Sequence, residues 1–344
     1  MKLNKNHPLY QEDIKYIHSV KGIEQLKGKS ILITGATGLL GVHLIDALMA
    51  YGDIKVYAVG RSKEKAMYRL GEYYDNKLFT FIEQDVCLPF PIDLHVDYII
   101  PGASNTHPLA YSQYPIETMM INIKGTEHAL ELAVRCNAKV LYLSTVEVYG
   151  NAYNDEPFSE GCTGKLNLST SRSCYTESKR ASEALCQSYI SQKGADVKIV
   201  RLPRIFGPTM LESDTKASSQ FIKNALNNTD IVLKSTGEQL FSYVYVSDAV
   251  ASMLYVLLNG QCGESYNISN DKCNVHLRDF AHACAEYNGK DVIFDLPTEA
   301  EKRGYSIANQ AVLNSSKLQK SGFRTCYDFS NAIQRTIKIL MGHE

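Results

Sequence analysis

The chain reads as an α/β fold: an open, doubly wound parallel sheet carrying a smaller, discontinuous C-terminal lobe. Three features predict it. Short apolar runs alternate with segments of helical period over the first 200 residues, one of those runs leads through a glycine turn directly into a helix, and the alternation loosens after Pro203. Strand–helix alternation signals parallel strands, because each crossover must carry the chain back over the sheet before the next strand can run the same way.

In order, residues 30–34 are the first expected strand and 41–51 its helix; 55–59, 79–84 and 98–100 are strands; 119–136 is helical and 139–143 a strand. A long helix beginning near Tyr175 precedes a further strand at 196–202. Polar stretches at 211–219 and 299–304 then suit the loops and short helices of a lobe that covers a substrate. The apolar run 243–246 and the helix-like 248–258 are expected to return to the main sheet. The expected organisation is therefore an N-terminal extension (1–28), a dinucleotide-binding domain (29–203, rejoined by 241–262) and a substrate lobe (204–240 and 263–344). In the extension, Ile14, Ile17 and Val20 recur at intervals of three and fit one side of a short helix packed outside the main domain.

A chain of 344 residues with 44% hydrophobic content can bury a large core and a second lobe. Thirty-six Lys and Arg against 37 Asp and Glu leave a net charge of −1, so no global field favours nucleic acid or an anionic membrane and binding must come from a local pocket. The nine cysteines have neither CxxC pairing nor histidines at zinc spacing; they read as reduced thiols without a metal, as in a cytoplasm. Residues 1–29 lack the apolar stretch of a signal peptide and no run reaches about 18 apolar residues, so a soluble protein is expected.

The turn after the first strand is Gly35-Ala-Thr37-Gly38-Leu39-Leu40-Gly41. Gly35 permits a tight turn, Gly38 lets backbone approach a pyrophosphate, Gly41 lets the helix pack closely, and the helix N-terminus offers N–H donors. Together these mark a Rossmann dinucleotide site. The second strand ends in Gly60-Arg61-Ser62, without the acid that accepts hydrogen bonds from an adenosine ribose; Arg61 and Ser62 instead suit a 2′-phosphate. Asp85 and Val86 follow the third strand at the adenine end, and Gly102, Ala103 and Ser104 follow the fourth, with Ser104 also facing substrate.

Tyr175 and Lys179 stand four apart, so on a helix both side chains reach the same space. A phenol is a poor base at neutral pH, and a neighbouring ammonium favours its ionised form. About 30 residues upstream, Ser144 and Thr145 close a predicted strand, where a hydroxyl can hold the oxygen that Tyr175 protonates or deprotonates. The carboxyl ends of the strands bring this set and the glycine turn to one cleft.

These motifs together resemble the extended short-chain dehydrogenase/reductases, the NAD-dependent epimerase/dehydratase family. Asn122 and Gly125, Gly207-Pro208 and Tyr245-Val-Ser-Asp248 are similar to further family landmarks. Within the family, Leu143-Ser-Thr-Val-Glu-Val-Tyr-Gly150 and Arg172-Ser-Cys-Tyr-Thr-Glu-Ser-Lys-Arg180 look most like the UDP-glucuronate decarboxylases. The resemblance implies that Tyr175 deprotonates the C4 hydroxyl of a nucleotide-linked sugar as hydride leaves, that Lys179 and Asn122 belong to the cofactor site, that Thr145 binds the sugar oxygen, and that Glu147 lies near C5. A 4-keto intermediate acidifies C5 and opens the way to epimerisation, dehydration or decarboxylation.

The departures from the family pattern are specific. Val146 replaces the adjacent acid of the dehydratases, Phe241 replaces an arginine of the decarboxylases, and Arg204 replaces an asparagine. Arg204, Lys216 and Gln220 are accordingly expected in the substrate site, with a carboxylate-paired arginine as the competing expectation for Arg204. Three readings remain: a decarboxylase or 4-epimerase that regenerates its cofactor each turnover, a net NADPH-dependent reductase of a phosphorylated or nucleotide-linked sugar or polyol, and a non-catalytic dinucleotide sensor. NAD and NADP both stay open, and a homodimer is what the resemblance implies.

Overall fold

A computed structural model describes residues 3–106, 108–151, 156–296 and 310–342. The polar stretch at 299–304 lies outside them. The first strand, β1 (Ser30–Thr34), puts Ile31 and Ile33 into one apolar core and Leu32 into another. A strand with both faces covered needs such a continuous apolar run. The same division holds in β2 (Lys55–Gly60), where Val56 and Ala58 face one layer and Val59 the other. Following β3 (Phe79–Glu83), β4 (Tyr98–Pro101), β5 (Lys139–Thr145) and β6 (Asp196–Leu202) complete the predicted strands. Helices α1 (Pro8–His18), α2 (Leu39–Tyr51), α3 (Lys63–Leu70), α4 (Pro108–Gln113), α5 (Pro115–Cys136) and α6 (Ser173–Lys193) precede or connect them. The α5–α6 pair covers one face of the sheet, burying Ala129, Leu130, Ala133 and Cys186 against it.

After β6 come β7 (Arg204–Phe206), α7 (Ala217–Leu226), β8 (Ile231–Leu233), β9 (Leu240–Tyr245), α8 (Val246–Asn259) and β10 (Ser265–Asn267). The chain ends with β11 (Asn274–His276), α9 (Leu277–Glu286), β12 (Val292–Phe294), β13 (Gln310–Ala311), α10 (Ser316–Lys320) and α11 (Phe329–Met341). The main sheet is a seven-stranded, all-parallel Rossmann sheet in the order β3-β2-β1-β4-β5-β6-β10. Its direction of winding reverses between β1 and β4, which opens a crevice at their carboxyl ends.

The return to the main sheet is made by α8 and β10. The strand β9, expected with that return, joins a separate four-stranded sheet with β7, β11 and β13. An apolar run does not say which sheet takes it. Here Phe241, Tyr243 and Tyr245 enter a second core with Phe206, Phe221 and Phe280, while Val244 points to the first.

The extension forms α1 as expected, with Ile14 and Ile17 buried and Val20 buried just beyond its end. It also carries charges that its spacing did not announce. Asp13 ion-pairs Arg335 of α11 at 2.7 Å and accepts a hydrogen bond from Tyr245 at 2.6 Å. Asp46 of α2 accepts from Tyr10, Tyr73 and Lys5. The helix thus joins both cores.

Candidate active site

The crevice is a cleft of about 1140 Å³. At its base, Gly35 has φ +69°, and a Cβ there would meet the Gly102 carbonyl oxygen at 2.6 Å; at Gly41 a Cβ would meet the Gly35 carbonyl at 2.5 Å. The turn can close only with glycine at these two positions. Gly38 is the N-cap of α2 and supplies no side-chain cap, so the first-turn N–H groups have no capping side chain where the helix meets the cleft. Thr37, Leu39 and Leu40 line the same wall. Thr34 accepts a hydrogen bond from the Ala103 N–H at 3.0 Å, which holds Gly102, Ala103 and Ser104 beside the turn. This cradle fits a dinucleotide pyrophosphate.

At the far end, Arg61, Asp85 and Val86 line the cleft. Asp85 accepts from the Cys87 N–H at 2.9 Å, and the Ser62 hydroxyl caps α3 by accepting from the Lys65 N–H at 3.1 Å. Lys65 itself, which sequence reasoning missed, also lines this end. Its amine is pushed down, first by burial and then by the positive charges of Arg69 and Arg61. A lysine on the first turn after a strand-end arginine was the signal available for it.

Tyr175 and Thr145 both line the cleft, and the Thr145 hydroxyl is the neighbour that favours the ionised phenol. Lys179 is buried, donates to the Leu143 carbonyl at 2.7 Å and stands over the Tyr142 ring. Burial pushes its amine down to about 8, against the opposing pull of Glu183. The expected lowering of the tyrosine is not found: burial and the charge of Glu147 push the Tyr175 phenol up, and only the Thr145 hydroxyl works the other way. Desolvation of a phenolate outweighs the help of an ammonium that is directed at Leu143. The Ser144 hydroxyl lies at the cleft but is committed to Glu183, which in turn pairs with Arg201 at 2.7 Å.

Glu147 sits above this pair, 3.4 Å from Arg172 and 3.5 Å from the Thr176 hydroxyl. Tyr111, from α4, stacks on the Tyr175 ring with centroids 4.9 Å apart. Arg172 and Tyr111 carried no role in the sequence reading. Arg172, three residues before Tyr175 and so on the same helix face, was findable; Tyr111, from a separate helix, was not.

On the substrate side, Arg204, Lys216 and Gln220 all line the cleft. Lys216 is tied to Asp214 at 3.2 Å, and Gln220 donates to the Asp214 carbonyl at 3.0 Å. Arg204 lies flat on Phe241, 3.4 Å from the ring centre. No carboxylate among the described residues pairs with it, so the carboxylate-paired alternative does not hold. Asn122 does not line the cleft: it is buried between α5 and α6, donating to Ser178 at 2.9 Å and to the Thr118 carbonyl.

The nine cysteines are all free thiols. Among the described residues no cluster of His, Cys, Asp and Glu could hold a metal ion, and no helix is long and apolar enough to cross a membrane.

The profile of the NAD dependent epimerase/dehydratase family matches residues 31–269. UDP-glucuronic acid decarboxylase 1 of Xenopus tropicalis is 35% identical over 255 residues, 73% of this chain and 58% of that protein. UDP-glucuronic acid decarboxylase 6 of Arabidopsis thaliana is 34% identical over 70% of this chain and 69% of its own length. The chain spans little more than half of the first such relatives. Among solved structures, the dTDP-glucose 4,6-dehydratase of Streptomyces venezuelae with NAD and TYD bound superposes with TM-score 0.77 at 22% identity, covering 90% of this chain and 96% of that one. The UDP-glucuronic acid 4-epimerase of Bacillus cereus, in complex with UDP-glucuronic acid and NAD, gives 0.77 at 21% identity, covering 90% and 98%. Glycine turn, Thr145/Tyr175/Lys179 set, sheet order and family profile agree: the chain belongs to the NAD-dependent epimerase/dehydratase family.

Proposed function

We propose that the protein modifies a nucleotide-linked sugar through a 4-keto intermediate, as a UDP-glucuronate decarboxylase or 4-epimerase does, and regenerates its cofactor in each turnover. The observation that carries this reading is the grouping of Thr145, Tyr175 and Lys179 at the carboxyl edge of the sheet, in a cleft that also holds the glycine cradle. A volume of about 1140 Å³ is beyond the usual range for one small ligand, roughly 300–1,000 Å³, and suits a dinucleotide and a second nucleotide together.

In this reading Gly35, Gly38 and Gly41 hold the dinucleotide backbone, and Arg61, Lys65, Asp85 and Val86 surround its adenosine end. When bound, nicotinamide supplies reversible two-electron oxidation of the sugar. Thr145 holds the C4 oxygen, and Tyr175 takes the proton from it and later returns it. Lys179, buried on the same helix face, supplies the positive charge that makes a phenolate tolerable once it is turned toward Tyr175. Glu147 handles a proton at C5. Val146 leaves no acid beside Thr145 to expel a C6 hydroxyl, which argues against dehydration.

The test is mass spectrometry of small molecules released by denaturing the purified protein, followed by turnover of UDP-glucuronic acid without added reductant. Retained NAD and formation of a decarboxylated or C4-inverted product, with no net change in reduced-nicotinamide absorbance, support the reading. Stoichiometric consumption of NADPH refutes cofactor regeneration and favours the second reading, a net reductase of a phosphorylated or nucleotide-linked sugar or polyol, for which the Arg61–Lys65 pair and Gly60 speak. The chain is also read as a cytoplasmic homodimer: free thiols support the compartment, and exposed Ile116 and Met120, one turn apart on α5, support a helix-paired contact.

A further inference from the structure

Arg204 presents a guanidinium without a carboxylate partner among the described residues. Its Nη1 is sealed from solvent and makes no hydrogen bond. A buried donor of this kind is normally satisfied, and one left open at the wall of a ligand cleft points to a group that arrives with the ligand. The stack on Phe241 fixes the plane of the guanidinium and keeps water from one face. Its electrostatic neighbours are Tyr243, Glu147, Arg172 and Tyr111, of which Glu147 and Tyr111 also neighbour Tyr175. Arg204 therefore stands where the sugar ring would be oxidised.

The local charge count leaves room for an anion. Arg172 is taken up by Glu147, at 3.4 Å, and Lys216 by Asp214, at 3.2 Å. Two guanidiniums, those of Arg172 and Arg204, face the one carboxylate of Glu147 at this end. In a nucleotide-linked hexose the diphosphate is attached at C1, across the ring from the C4 that Tyr175 serves, whereas a C6 carboxylate hangs from the carbon next to C4. A cation beside Glu147 and Tyr111 is thus placed for the carboxylate and not for the diphosphate.

We propose that Arg204 is the specificity residue of this cleft, pairing with a carboxylate carried by the sugar itself and so discriminating a hexuronate from a neutral hexose. This rests on the nucleotide-sugar reading above. Phe241 acts behind it as a positioning residue.

The test is equilibrium binding of UDP, UDP-glucose and UDP-glucuronic acid to the NAD-loaded protein by calorimetry, for the natural chain and for Arg204→Gln and Arg204→Lys. Thermal unfolding of each variant checks the fold. The natural chain should prefer UDP-glucuronic acid over UDP-glucose by at least about tenfold, as expected for a desolvated ion pair. Arg204→Gln should bring the two within about twofold while leaving UDP unchanged, and Arg204→Lys should retain part of the preference. Equal binding of both sugars to the natural chain, which needs no variant, overturns the assignment. So does an Arg204→Gln loss that is as large for UDP as for UDP-glucuronic acid, which would make Arg204 a diphosphate ligand; in both cases the nucleotide-sugar reading survives. Failure of all three ligands to bind removes that reading and the proposal together.

Discussion

The rings of Tyr111 and Tyr175 stack with 4.9 Å between centroids and 22° between planes, so the base of the proposed reaction is walled by a residue from a different helix. The two tyrosines separate chemistry from placement. Tyr175→Phe keeps the stack and deletes the hydroxyl, and should lower kcat by roughly 10²–10⁴-fold with cofactor affinity and unfolding midpoint nearly unchanged. Tyr111→Leu keeps the hydroxyl but loses a stack of about 0.5–1.5 kcal/mol, and should cost less than about tenfold, shared between kcat and KM. Steady-state kinetics on both variants is the check. Near-normal turnover by Tyr175→Phe would remove this residue from the chemistry.

What was legible in the sequence follows chain locality. The glycine turn and the Tyr175/Lys179 pair are short-range patterns whose geometry is set by one turn or one helix. Arg172 needed only the helix period. Lys65 had a local signal in the strand-end arginine before it, whereas Tyr111 reaches the cleft from α4, so its placement depends on how whole elements pack. The same holds for β9, whose apolar run fitted either sheet until its alternate side chains found Phe206 and Phe280, and for Asp13 and Arg335, which meet from opposite ends of the chain. The Tyr175 phenol was misjudged for a different reason: spacing put an ammonium near it but did not weigh burial or say where Lys179 points.

Glu147 adds to burial in setting the pH at which Tyr175 can act. Its negative charge opposes formation of the phenolate and contributes to the raised phenol. Glu147→Gln deletes that charge and frees Arg172 from its 3.4 Å contact, and both changes favour the ionised phenol. The rising limb of kcat/KM against pH should therefore move to lower pH in the variant, even where the maximal rate falls. An unchanged limb, or one moved upward, would show that Glu147 does not govern the ionisation of the base.

The adenosine end should decide between cofactors by charge. Arg61 and Lys65 face this part of the cleft, and a 2′-phosphate would join two cations that otherwise repel. Replacing both with Ala should weaken NADP by about tenfold or more, as expected for loss of charge-assisted phosphate contacts, and leave NAD within about twofold. Gly60→Asp should move the ratio the same way by restoring a ribose acceptor. A Cβ there meets only the Phe81 ring at 3.4 Å, so the substitution fits. Fluorescence titration with both dinucleotides gives the answer; a ratio unmoved by either change would mean that Arg61 and Lys65 are solvated charges.

Asp248 links three parts of the chain and should make stability depend on pH. It is fully buried on α8, accepts from the Tyr16 hydroxyl of α1 at 2.8 Å, and accepts from the Cys326 and Tyr327 N–H groups at 2.7 and 3.0 Å. Burial pushes its carboxyl up to about 6, although these donors pull the other way. In the unfolded chain the group titrates near 4. Between these values the native state holds a proton that the unfolded chain has released, so rising pH removes stability through this window, by at most about 1.4 kcal/mol per pH unit, and this group adds no further change above it. Asp248→Asn lacks that titration and replaces one acceptor oxygen by an NH₂ group facing a backbone N–H, at a cost of about 1–3 kcal/mol. Urea unfolding of both proteins between about pH 4 and pH 7 should therefore show the penalty of the variant shrinking as pH rises, because the natural chain loses stability that the variant never had. A penalty constant across that range would mean that Asp248 titrates in the native state as it does in the unfolded chain, its three donors offsetting burial.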